Sequence, residues 1–121
     1  MEDMELIAFQ IISGVGSARS SYIEAIHKAR DGEMEAAAAL IHEGDESFLE
    51  GHHAHARLLQ QQAEGKPVTI DLLLMHAEDQ LMSAEAFKNI ALELMSVYQK
   101  MAELVQHREC IINCVSELTA V

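Results

Sequence analysis

The chain has 121 residues, the size of one domain, and half of them are apolar, yet it has no Trp and few other aromatics. A core of Ala, Leu, Ile, Val and Met suits close helix packing better than stacked sheets, where β-branched and aromatic side chains are favoured. The formal net charge of -12 argues against nucleic acid and against anionic lipid, both of which are held by Lys and Arg clusters; it would steer partners with basic faces toward the protein.

The N-terminal stretch MEDMELIAFQ is acidic and lacks the basic, apolar layout of an export signal. No apolar run approaches the roughly 20 residues that span a bilayer, so a soluble, cytoplasmic protein without direct membrane insertion is expected. From about 3 to 31, Met4, Ile7, Ile11, Gly14, Ala18, Tyr22, Ala25 and Ala29 recur at the three- and four-residue steps of one helix face. Asp31-Gly32 then supplies a residue able to take the left-handed conformation that ends a helix. A second helix, about 34–64, repeats the pattern through Met34, Ala37, Ile41, Gly44, Phe48, Gly51, His55 and Leu58. Gly65-Lys66-Pro67 closes it with a C-cap glycine and a proline that cannot continue. Thr69, with Asp71 close behind, reads as the N-cap of a third helix over about 69–100, through Leu72, Met75, Asp79, Met82, Ala86, Ile90 and Val97. No alternating run marks a strand.

Short turns between long helices predict an all-α, antiparallel, up-down-up three-helix bundle over residues 1–100. Gly14, Ala18, Gly44 and Gly51 would let its helices approach closely. The third helix is apolar on more than one side, at Leu72, Leu73, Leu74, Met75, Leu81, Met82, Phe87, Ile90, Leu92 and Leu94. A surface helix needs one apolar stripe, so the excess points to self-association. Residues 101–121 keep helical spacing through Met101, Leu104, Val105, Ile111, Ile112, Val115 and Leu118, with Glu103, Arg108 and Glu109 as a solvated face. This segment is expected to be a helical extension of the same domain. It either runs on from the third helix or folds back after a kink near Gln106, and it touches a neighbouring subunit. Cys110 and Cys114, at i and i+4, read as small apolar residues in poor geometry for a disulfide.

The segment with the densest chemistry is on the third helix. His76 and Asp79 are i, i+3 neighbours, and Gln80 follows His76 by four, so its amide can reach the ring or a group attached to it. Chemistry alone leaves both a structural and a functional reading of His76 open. His52 and His55 share a face of the second helix as one half of a possible zinc site, but no Cys or HExxH pattern completes it. There is no GxxxxGK[ST] loop, no GxGxxG turn and no GxSxG elbow. A protein without nucleotide machinery can still move phosphate when its donor is a phosphoprotein. Neutral imidazole is a good nucleophile toward phosphorus, and the transfer needs mainly in-line positioning.

The run Met75-His76-Ala77-Glu78-Asp79-Gln80-Leu81-Met82-Ser83 resembles the phosphohistidine signature of the lactose/cellobiose-type enzyme IIA family of the phosphoenolpyruvate-dependent sugar phosphotransferase system. Gly14-Val15-Gly16-Ser17-Ala18-Arg19-Ser20 is similar to the family's first-helix Gly-x-Ala-Arg-Ser motif. Arg30-Asp31-Gly32-Glu33 and Gly65 fall at its turns, and His52 at its helix-two His. The resemblance covers about residues 4 to 100. It implies a homotrimer packed as a nine-helix bundle. It also implies that His76 accepts a phosphoryl group from the histidine-containing phosphocarrier protein and hands it to a cysteine of enzyme IIB, during uptake of a lactose- or cellobiose-like disaccharide. Asp79 of each subunit would meet its copies near the threefold axis around a divalent cation. Oxygen donors alone favour Mg²⁺ or Ca²⁺ there, and Mg²⁺ is expected. Some relatives have Gln and His where this chain has Glu78 and Gln80, a version closer to the cellobiose-like branch. Gln80 offers a hydrogen bond but no charge, and Glu78 adds a negative charge unless it points to solvent. His53 and His55 receive no role, and the sugar is not named by the sequence. The rival readings are a non-catalytic helical adaptor with His76 and Asp79 as interface groups, and a metal-binding bundle built on His52 and His55.

Overall fold

A computed structural model describes residues 3–120. Met1 and Glu2, which open the acidic N-terminal stretch, and Val121, which closes the extension, lie outside them. Three helices carry the fold: α1 (Met4–Arg30), α2 (Met34–Ala63) and α3 (Leu72–Thr119). Among the described residues there is no strand, and no helix is long and apolar enough to cross a membrane.

Local chemistry sets the boundaries. Asp3 caps α1 by accepting from the Glu5 backbone N–H at 3.0 Å. At the other end Gly32 takes φ 84, which lets Gly32 N–H reach the Ala29 carbonyl and Glu33 N–H reach the Lys28 carbonyl. Gly65, at φ 80, closes α2 the same way, with bonds from Gly65 to Gln62 and from Lys66 to Gln61. The start of α3 differs from the expectation: Asp71, not Thr69, is the cap, accepting from Leu74 N–H at 2.8 Å. A carboxylate makes a stronger, charge-assisted bond at a helix N-terminus than a hydroxyl does. Val68 in the connector packs on the core.

Paired residues give the direction of each helix. From α1 to α2, Arg57 bonds Gln10 and Tyr22 bonds Asp45, so the numbers run in opposite senses. From α2 to α3, His55 meets Glu78 and Lys88 meets Asp45, again antiparallel. The bundle is therefore up-down-up. Its core lies along α1, where Ile7, Ile11 and Val15 pack against Leu58, Leu74 and Leu81, and Ala18, Tyr22 and Ala25 against Ile41 and Ala91. The small residues sit at the tightest approaches, as expected. A Cβ on Gly14 would stand 2.9 Å from both Gly51 N and Ser47 O, which are backbone atoms.

Beyond the bundle α3 simply continues. No described residue after Ala91 is fully buried, and every one from Gln99 onward is exposed. The alternative of a kink near Gln106 and a fold-back is not what the chain adopts, because no Gly or Pro breaks the helix. Cys110 and Cys114 are exposed and unbridged.

Candidate functional site

Asp71 fixes where α3 begins, and packing against α1 decides what the His76 segment presents. Leu74, Ala77, Leu81 and Ala84 turn inward onto Ile7, Ile11, Val15 and Leu58. The opposite face is left to solvent: His76 and Asp79 are exposed, Gln80 and Glu78 half-buried. Leu72, Met75 and Met82 frame them with exposed apolar surface. Asp79, a carboxylate in an otherwise largely apolar helix, is exposed within one chain, because the inner side of α3 is filled by Leu74, Ala77 and Leu81.

No hydrogen bond or ion pair to another described residue holds His76, so its imidazole is free to react and open to a protein-sized partner. Its neighbour Glu78 is engaged. His55 Nδ1 lies 2.7 Å from Glu78 Oε1 and 2.6 Å from Oε2. Glu78 thus points neither to solvent nor toward His76 but across to α2. Along α2 the rings of Phe48 and His52 stack at 6.1 Å, and those of His52 and His55 stand tilted at 6.4 Å. An apolar groove of about 320 Å³ opens beside this pair, lined by His55, Leu58, Val68, Leu74, Met75 and Glu78.

Further along the bundle a polar knot ties all three helices. The Tyr22 hydroxyl donates to Asp45 Oδ1 at 2.7 Å, and Lys88 Nζ donates to Asp45 Oδ2 at 3.0 Å. Burial, and then the Asp45 carboxylate, push the Tyr22 hydroxyl well above the usual tyrosine range. Arg19 lies over the Phe87 ring, 4.7 Å from its centroid, with its Nε buried and without a hydrogen-bond partner.

Among the described residues no three His, Cys, Asp or Glu side chains converge to hold a metal ion. His55 of the His52–His55 pair is engaged by Glu78. Among the described residues Asp79 belongs to no group of three metal-ligating side chains, so a cation held there would need further donors from outside this chain. The His55–Glu78 and Tyr22–Asp45–Lys88 contacts were not anticipated. Each joins residues more than twenty apart, and helix periodicity carries no signal for such pairs.

What remains is an exposed, unrestrained imidazole on a rigid helix, ringed by apolar side chains and followed by an amide one turn away. That arrangement suits an exchange with another protein rather than the enclosure of a small substrate. Comparisons with known proteins identify what the whole chain is similar to. Residues 6–99 match the model of the lactose/cellobiose-specific IIA subunit of the PTS system. The chain is 39% identical over 102 residues to the lichenan-specific phosphotransferase enzyme IIA component of Bacillus subtilis (strain 168), covering 84% of this chain and 93% of that protein. It is 33% identical over 99 residues to the lactose-specific EIIA component of Staphylococcus aureus (strain N315), covering 82% and 96%. The crystal structure of the PTS cellobiose-specific enzyme IIA from Bacillus anthracis superposes with a TM-score of 0.81 at 37% identity, over 85% of this chain and 94% of that one. PtcA from S. mutans gives 0.77 at 33%, over 82% and 99%.

Proposed function

The chain belongs to the lactose/cellobiose-specific IIA family of the sugar phosphotransferase system, a component of phosphoryl transfer in sugar uptake, and on that premise we propose that His76 is its phosphoryl-carrying residue. One observation carries the proposal: among the titratable groups of the signature segment, His76 is exposed and unrestrained, while Glu78 is spent on a contact with His55. A ring nitrogen of neutral His76 attacks phosphorus on the phosphohistidine of the histidine-containing phosphocarrier protein. A new P–N bond forms as the donor's P–N bond breaks, and the donor imidazole leaves. In the second exchange a cysteine thiolate of enzyme IIB attacks, and His76 is released as the P–S bond forms. Because the transition state is loose, the protein's task is alignment and charge compensation. Gln80, one turn on, supplies an amide N–H to a phosphoryl oxygen. Both exchanges occur in the cytoplasm, and the sugar is a lactose- or cellobiose-like disaccharide that the carrier itself never touches.

The chain works as a homotrimer, joined along the outer face of α3, where exposed Leu72, Met75, Met82 and Ile90 form an apolar stripe. Asp79 lies within that stripe and brings one carboxylate per copy. Three such charges at an axis repel unless neutralised, and their hard oxygen donors fit Mg²⁺, which would supply that charge compensation.

The decisive experiment is phosphorylation from phosphoenolpyruvate through enzyme I and the phosphocarrier protein. The native chain should gain one acid-labile, base-stable phosphoryl group and His76→Gln none, with unchanged helical content. Undiminished labelling of His76→Gln would move the activity to another His.

A further inference from the structure

The family match ends at residue 99, but α3 continues as one helix to Thr119. At 1.5 Å per residue the part beyond Lys100 projects about 28 Å from the bundle. No other described element covers it: its described residues are all exposed, including Leu104 at 68%, Ile111 at 51% and Leu118 at 78%. A helix of this length is marginal in water on its own account and draws its stability from packing an apolar face.

The face has a definite period. Ile90, Val97, Leu104, Ile111 and Leu118 follow one another at intervals of seven, and all five are exposed. Interleaved with them at the same interval run Leu94, Met101, Arg108 and Val115. These two series are the d and a positions of a heptad repeat, which begins inside the bundle and crosses into the extension without a change of phase. Val105 and Ile112 sit beside the d positions and widen the stripe. The b, c and f positions of the extension are Ala102, Glu103, Gln106, Glu109, Cys110, Asn113, Ser116, Glu117 and Ala120, which are mostly polar or charged. A sustained 3.5-residue period is satisfied by another helix of the same period wound about it with a left-handed supercoil.

We propose that residues 101–118 associate with the same segment of further copies of this chain, as a parallel, in-register coiled coil that extends α3 beyond the bundle. A second copy is the occupant because it supplies the same period automatically. The shared phase with Ile90 and Val97 also means that copies meeting along α3 in the bundle must run side by side into the extension, in the same direction. Arg108 is the one charged residue at an a position. It weakens the coil but penalises a slip of one heptad, which would set it against Met101 or Val115. The stripe, wider than a two-residue seam, suits more than two strands. The association does not involve His76, so it can fail while the phosphocarrier assignment stands.

The test uses the full chain with Cys110→Ser and Cys114→Ser. On oxidation, an added Leu104→Cys at the seam should cross-link chains in high yield, and an added Gln106→Cys on the outer face should not. In the native chain, amides of 101–119 should exchange at least tenfold slower than in Ile111→Asp, while phosphoryl uptake by both is equal. Equal cross-linking at both positions, no cross-linking at Leu104→Cys, or unprotected amides in the native extension would overturn the proposal.

Discussion

His55 on α2 grips both carboxylate oxygens of Glu78 on α3, at 2.7 and 2.6 Å, only two residues past His76. The contact directs the Glu78 carboxylate across to α2 and ties the two helices together beside His76. Both side chains are partly exposed, at 24% and 31%, so solvent screens the pair. A double-mutant cycle of His55→Ala and Glu78→Ala in urea melts should return a coupling of about 0.5–1 kcal/mol. Zero coupling would reduce the contact to proximity.

Two glycines on α1 should respond to alanine with opposite signs. Gly14→Ala drives a Cβ to 2.9 Å from the backbone of Gly51 and Ser47, and backbone in a packed helix cannot give way. It should cost about 1–3 kcal/mol as α1 and α2 are pried apart. Gly16→Ala meets nothing within 4 Å and should stabilise by about 0.5–1 kcal/mol, because alanine loses less backbone entropy in a helix. Thermal midpoints that shift in the same direction would contradict this packing.

Tyr22 predicts an alkaline limit to stability. Burial and then Asp45 hold its hydroxyl protonated beyond the ordinary value of 10.0, so the folded chain keeps this proton more tightly than the unfolded chain. The corresponding stabilisation is complete below about pH 10 and is lost as pH rises above that toward the folded-state value. Tyr22→Phe should cost about 1 kcal/mol at neutral pH, the worth of one hydrogen bond. The gap between native and variant should narrow in melts at about pH 11. A constant gap would remove Tyr22 as the source.

Asp79→Leu should tighten self-association by roughly tenfold or more, since exchanging charges at an interface for apolar groups is commonly stabilising by about 1–4 kcal/mol. Chelation should weaken assembly of the native chain and leave the variant unaffected. Sedimentation velocity over a dilution series reads both, and weaker assembly of Asp79→Leu would count against an axial cluster of carboxylates.

Gln80→Ala should slow phosphorylation of His76 by about tenfold, the rate equivalent of one neutral hydrogen bond to the transferred group. Fold and assembly should be unaffected, because Gln80 makes no hydrogen bond or ion pair to another described residue. An unchanged rate would leave the phosphoryl oxygens to other donors.

Whatever depends on neighbours within a turn or two could be read from the order of residues. The apolar steps of α1 and α2, the left-handed glycines at 32 and 65, and the His76–Asp79–Gln80 cluster all follow from hydrogen bonds and caps that span a few positions. The resemblance of that cluster to a known signature is local in the same sense. Long-range packing decided the rest. Val68 docks on the core three residues before Asp71, which rather than Thr69 caps α3. Asp79, an acid among apolar residues, proved to face outward because α1 fills the inner side of α3 with Leu74, Ala77 and Leu81. His55 and Asp45 found partners on helices 23 and 43 residues away. No periodicity encodes such pairs, because they arise only when the phase of each helix is set by the side chains of another.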